Sequence, residues 1–456
     1  MRHVVVMTAT GSVGLMAVFV VDFANLFYIS LLGKQELAAA IGYAGTLLFF
    51  TISITIGISI AAAALVSRAL GAGDRKRARR LAMSCLTFMA VVSILFVCLM
   101  LPFLRPLLSA LGATGETHEI ARVFLMIVVP TMPLMGVGMA AASVLRATGD
   151  ARRSMYVTLS GGAVSAVLDP ILIFGFDLGV NGAAIATVCA RIMIVSVGFY
   201  GAIKVHRMVA SFNLRHAAED SGKVAAIALP AILTNIATPV GNFYLTYAIG
   251  RYGDDAVAGW AVIGRLIPIA FGGLFALSGS VGPIIGQNFG AGNRERVRQT
   301  LTDALKFMAA YTLTAWLILF ALRNVIVTVF HAEGGAGDLI AFFCTFVAVS
   351  FLFNGMLFVS NAAYNTLGKP FWSTFFNWTR ATAGTIPFVY LGSLWFGAEG
   401  VLAGWGLGGV LFGIAAIWAC YRLIDRIPHR PPDGPPPPPV RTAQSAFTSG
   451  KGATAG

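Results

Sequence analysis

Residues Tyr156 to Phe176 read YVTLSGGAVSAVLDPILIFGF. A spanning helix needs about 20 predominantly apolar residues, and this run has them. It nevertheless carries Asp169 in its outer part. An ionised carboxylate inside a bilayer costs about 2.5–3.5 kcal/mol on insertion scales, so it requires a partner, a proton or a task. Ser165 lies four residues earlier on the same helical face. Pro170 follows at once; without an N–H it leaves a carbonyl of the preceding turn free for other partners. The rest of the chain reads as a scaffold that gives this acid a cavity, a cation and something to exchange it for.

The surrounding composition agrees. Of 456 residues 57% are hydrophobic and only 11% charged, against roughly 25% charged in soluble domains. Mean hydropathy is +0.81. The fold class is therefore all-α integral membrane. The formal charge of +13 does not make a nucleic-acid surface, because the basic residues are spread over alternate loops rather than gathered in one patch. The five cysteines lie inside apolar runs at unrelated spacings and read as small core residues, with no metal or disulfide framework.

Runs of this kind occur twelve times. The predicted spans, α1 to α12, are roughly 4–31, 37–67, 81–104, 119–145, 154–176, 180–203, 224–250, 256–288, 301–330, 338–366, 371–395 and 398–424. Loops after α2, α4, α6 and α8 are basic; the opposite loops hold acids and few bases. The positive-inside rule then places both termini in the cytoplasm of a bacterial-type inner membrane. The two halves repeat. Gly71-Ala-Gly-Asp74 recurs 219 positions later as Gly290-Ala-Gly-Asn293, and Gly149 recurs as Gly368 at the same offset. Gly179 and Gly182 pair with Gly397 and Gly400. Anchors at one nearly constant offset mark a duplication. Each half has an even number of helices, so the pseudo-two-fold runs along the membrane normal. The expected units are a first six-helix lobe (1–203), a linker (204–223), a second six-helix lobe (224–426) and a proline-rich, disordered tail (427–456). Two such lobes leave a cleft between them.

The intramembrane polar groups differ between lobes. Asp22 in α1 and Asp169 in α5 sit roughly 14 and 10 Å below the outer ends of their helices at about 1.5 Å per residue. Two carboxylates at similar depth share a proton or a cation. Thr187 and Arg191 lie on one face of α6, and Arg191 is at comparable depth. Two readings stand: an ion-coupling site formed by Asp22, Asp169, Ser165 and Thr187, or a structural salt bridge from Arg191 to one acid. The second lobe offers neutral stripes instead, on α7 and α10. Asn235, Asn242, Asn354 and Asn361, with Asn25 in α1, are candidates for the cleft lining; helix–helix hydrogen bonding is the alternative. Arg265 and Arg380 have no acid among their own lobe's helices and are expected to bind carbonyls or face water.

Enzyme chemistry finds no footing. The six histidines fall in loops or helix ends without a carboxylate at ligand spacing, and the Gly-Ala-Gly boxes lack the Lys-Ser/Thr of a phosphate loop.

Asp22 with Leu32-Gly33 and Leu37-Ala38-Ala39, then GAGD at 71–74, LRATGD at 145–150, LDP at 168–170, GVNGAA at 179–184 and IIGQNFGAGN at 284–293 resemble the multidrug and toxic compound extrusion (MATE) family. The likeness runs to about residue 426. It implies secondary active antiport: amphipathic, often cationic organic compounds are exported in exchange for protons or sodium by alternating access of two six-helix lobes. No cofactor beyond that ion is expected, and a monomer is the expected state. Asp22 and Asp169 match the acids of the branch with its ion site in the first lobe, and Thr187 matches a hydroxyl near it. Ser165 stands where that branch usually has asparagine, and α1 lacks the branch's proline near its start. A flippase for lipids or lipid-linked saccharides is the alternative within transport, and a non-transporting membrane scaffold the alternative outside it.

Overall fold

The computed structural model describes residues 1–30, 35–332 and 334–427, except for side chains at several positions of α1 and at the start of α2. Asp22 falls on α1, but its side chain is outside the described residues, as are Leu32, Gly33, Glu333 and the tail from Pro428. Helices account for nearly all of the described chain. They are α1 (Arg2–Ser30), α2 (Gln35–Gly71), α3 (Arg75–Met100), α4 (Gly115–Ala147), α5 (Ala151–Pro170), α6 (Gly179–Phe199), α7 (Leu214–Gly250), α8 (Asp254–Gly290), α9 (Arg294–Val329) and α10 (Gly335–Thr366). Among the described residues eleven stretches are long and apolar enough to cross a membrane, and the last of them, Pro370–Asp425, doubles back to span twice. It folds back at Phe396 and Gly397, whose φ of 61° is open to glycine. Hence α11 is 370–395 and α12 is 398–425. The twelve spans match the apolar runs to within a few residues at most ends. The clearest difference is α7, which starts at Leu214, so half of the expected inter-lobe linker is helical.

The repeated boxes explain how the helices end. In each, the third residue is a glycine at positive φ, Gly73 at 76° and Gly292 at 70°. The fourth residue caps the next helix: Asp74 accepts the Arg77 N–H at 2.9 Å and Asn293 the Arg296 N–H at 3.0 Å. The first glycine does something else. A β-carbon on Gly71 would lie 2.0 Å from the Gln287 carbonyl oxygen, and one on Gly290 would lie 2.1 Å from that of Arg68. Arg68 and Gln287 are themselves 219 positions apart, so the two contacts are images of each other. This reciprocity is what a two-fold between lobes requires.

Candidate functional site: the cleft between the lobes

At the basic end the lobes are sealed. Arg68 of α2 donates to the Asn365 carbonyl at 2.8 Å and to that of Thr366, the last residues of α10. Gln287 of α8 donates to the Ala147 carbonyl, the last of α4, at 2.7 Å. Thr366 and Ala147 are again equivalents. In each case the side chain satisfies a carbonyl that a helix C-terminus leaves free. Arg80 of α3 adds an ion pair to Asp220, buried at the start of α7, at 2.8 Å. Further in, Ser280 of α8 bonds the Met7 carbonyl of α1, and Gly272 meets Met16 and Phe19. Beyond that level the facing surfaces part. Gly42, Gly45 and Gly264 have nothing within 4 Å, and Thr46 and Arg265, pseudo-equivalents on α2 and α8, are exposed. The two lobes are thus tied together at their basic end.

Asp169 lies inside the first lobe, on a helix that packs against α1, α4 and α6. It is 1% exposed and sits in the last turn of α5, where Pro170 converts the helix into a wider turn over Ile171–Gly175. Gly162, seven residues earlier on the same face, meets Val21 and Ala17 of α1. The carboxyl therefore faces the helix that carries Asp22. Ser165 is half-buried one turn below Asp169. Asn25 is also half-buried, and its Oδ1 has no hydrogen-bond partner among the described residues. Thr187 bonds back to the Ala183 carbonyl of its own helix at 2.9 Å.

Arg191 has a different task from the charge pairing suggested by its depth. Its Nη1 donates to the Val128 carbonyl at 2.5 Å and to Thr131 Oγ1 at 2.8 Å. Helix α4 tightens over Val129–Thr131 around Pro130, where the Met132 N–H bonds Val129 instead of Val128. The freed Val128 carbonyl needs a donor, and Arg191 supplies it. Among the described residues no ion pair joins it to Asp169.

The second lobe's asparagines divide. Asn242 is exposed. Asn235 bonds the Ala231 carbonyl one turn back. Asn354 lies over Gly409 of α12. Asn361 is buried and accepts from Asn377 Nδ2 of α11 at 3.0 Å, a helix–helix bond that no pattern in α10 alone reveals. The Arg68–Gln287 seal also went unread, although the 219-residue offset that pairs the Gly-Ala-Gly boxes pairs these two side chains as well.

One family model, MatE, matches the chain twice, over residues 12–171 and 230–391. The chain belongs to the MatE family. The double match coincides with the duplication seen in the packing. Among curated relatives, the "FAD transporter" of Shewanella oneidensis is 29% identical over 92% of this chain and 93% of its own length. The "Multidrug export protein MepA" of Staphylococcus aureus is 25% identical over 88% of this chain and 89% of its own. The MATE transporter VcmN of Vibrio cholerae in its bent form superposes with a TM-score of 0.87 at 24% identity, covering 93% of this chain and 97% of that one. MatE proteins are membrane transporters.

Proposed function

We propose that this MatE protein is a secondary active antiporter that exports amphipathic organic compounds in exchange for protons or sodium. The supporting observation is Asp169, a buried carboxyl beside a helix break, on the helix that packs against α1 in the first lobe. The ion would occupy Asp169 and Asp22, with Ser165 and Thr187 beside them. Its differential affinity for the two lobe arrangements would drive the exchange, because a ligand shifts an equilibrium only by that difference. We place the basic end in the cytoplasm by the positive-inside rule, so that the cleft opens outward. The relatives' names suggest two substrate types to try: drugs and flavin adenine dinucleotide.

The test uses inverted vesicles with proton and sodium gradients imposed separately. Wild type should move a fluorescent organic cation or a flavin nucleotide under one of them. Asp169→Asn and Asp22→Asn should lose at least tenfold of the rate while still inserting. Full activity in both variants would make the acids structural. Failure of wild type under both gradients would turn attention to lipid flipping.

A further inference from the structure

We propose that Arg380 anchors an anion-binding subsite in the second lobe, which takes a phosphate or carboxylate group of the exported compound. The proposal rests on the transport reading and refines its substrate class. Arg380 stands near the middle of α11, three residues after Asn377, which bonds Asn361 of α10. Its neighbour Ala381 packs against Gly241 of α7, and Gly384, one turn on, lies against Phe412 of α12. Arg380 therefore stands on a stretch of α11 packed by α7, α10 and α12, one turn from the Asn361–Asn377 pair.

What sets Arg380 apart is the fate of the other arginines drawn into the bundle. Arg191 is held by Val128 and Thr131. Arg146 is held by Ser154 and Ser143, and Arg68 by the end of α10. The Arg380 guanidinium enters no hydrogen bond or ion pair among the described residues, and its Nε is buried. The acids of the second lobe sit toward the helix ends, from Asp254 and Asp255 to Asp425. A half-buried guanidinium without a partner among the described residues is costly in a membrane and marks a site for a counter-charge; its planar fork suits two oxygens of one anion.

The backbone adds a second observation. Helix α11 is discontinuous here: its first half ends at Ala381 and it resumes at Ile386. Pro387 cannot donate to the preceding turn, and Thr385 Oγ1 bonds the Arg380 carbonyl at 2.9 Å. Interrupted helices near the bilayer midplane are where transporters build substrate sites. Helices α5 and α11 are pseudo-equivalent, and each carries one charge beside a proline-linked break. The first lobe has an acid there, suited to a coupling cation. The second has a base, suited to an anion.

Two flavins that differ by one phosphate, riboflavin and riboflavin 5′-phosphate, test this by fluorescence titration of the purified full-length protein. Wild type should bind the phosphate form at least tenfold more tightly. Arg380→Met should lose that preference while riboflavin binding and thermal stability hold, and Arg380→Lys should retain part of it. No preference in wild type, or a preference that survives Arg380→Met, would overturn the subsite. Transport under imposed gradients is read separately. A subsite present in a protein that moves nothing would refute antiport alone; gradient-driven efflux without the preference would refute the subsite alone.

Discussion

Asp150 illustrates how much a single carboxyl can organise at the basic end. It caps α5 by accepting the Arg153 N–H at 3.0 Å, and its Oδ2 meets His206 Nε2 at 2.8 Å and Arg153 Nη1 at 2.5 Å. Burial acts to raise its pKa, but the bonds from His206 and Arg153 outweigh burial and hold the carboxyl well below the usual carboxylate range. A carboxyl whose folded-state pKa is depressed stabilises the fold above its unfolded value, and that contribution fades as pH falls through the folded value. Asp150→Asn keeps a cap acceptor but removes the charge that faces Arg153 and His206, so it should lower thermal stability at neutral pH by roughly 0.2–1 kcal/mol, the usual range for partly exposed ion pairs. The gap from wild type should narrow as pH drops below about 4. A gap that widens in acid would contradict the assignment.

Among elements, the α11–α12 hairpin depends most on glycine. β-Carbons on Gly408, Gly404 and Gly400 would lie 1.7, 2.2 and 1.9 Å from the carbonyl oxygens of Gly384, Phe388 and Gly392 respectively. Small residues let helix backbones approach where lipid supplies no hydrophobic drive. Gly408→Val should cost about 1–3 kcal/mol or more, seen as lost yield of folded protein and a lower melting temperature. Gly279 in α8 has nothing within 4 Å; Gly279→Ala should instead stabilise by roughly 0.5–1 kcal/mol through helix propensity. Equal effects of the two substitutions would rule out close approach as the reason for the glycines in α12.

For the whole molecule, alternating access requires the basic end to open. The paired bonds of Arg68 and Gln287 hold it shut, so Arg68→Ala with Gln287→Ala should shift the population toward the opposite opening. Ser67 is fully buried beside Gly286 in the closed seal. In a background lacking the native cysteines, Ser67→Cys should react slowly with a membrane-impermeant maleimide applied from the basic side. The double variant should react several-fold faster, and an unchanged rate would show that other contacts keep the end closed.

The local sequence was sufficient for the spans, the duplication and the helix caps, because each depends on residues close together in the chain or on a repeated spacing. Apolarity alone marks a spanning helix, and Gly-Ala-Gly-Asp/Asn encodes a turn and a cap wherever it stands. The acid of α5 and its proline were legible for the same reason. Which side chains meet across helices was not. Most of these helices are apolar on nearly all sides, and even the neutral stripes of α7 and α10 do not say which helix they meet. The tertiary structure alone therefore assigned Arg191 to the broken turn of α4, paired Asn361 with Asn377, and left Arg380 without a partner among the described residues. Each outcome depends on which helix packs alongside, a consequence of close approach between glycine-bearing backbones distant in sequence.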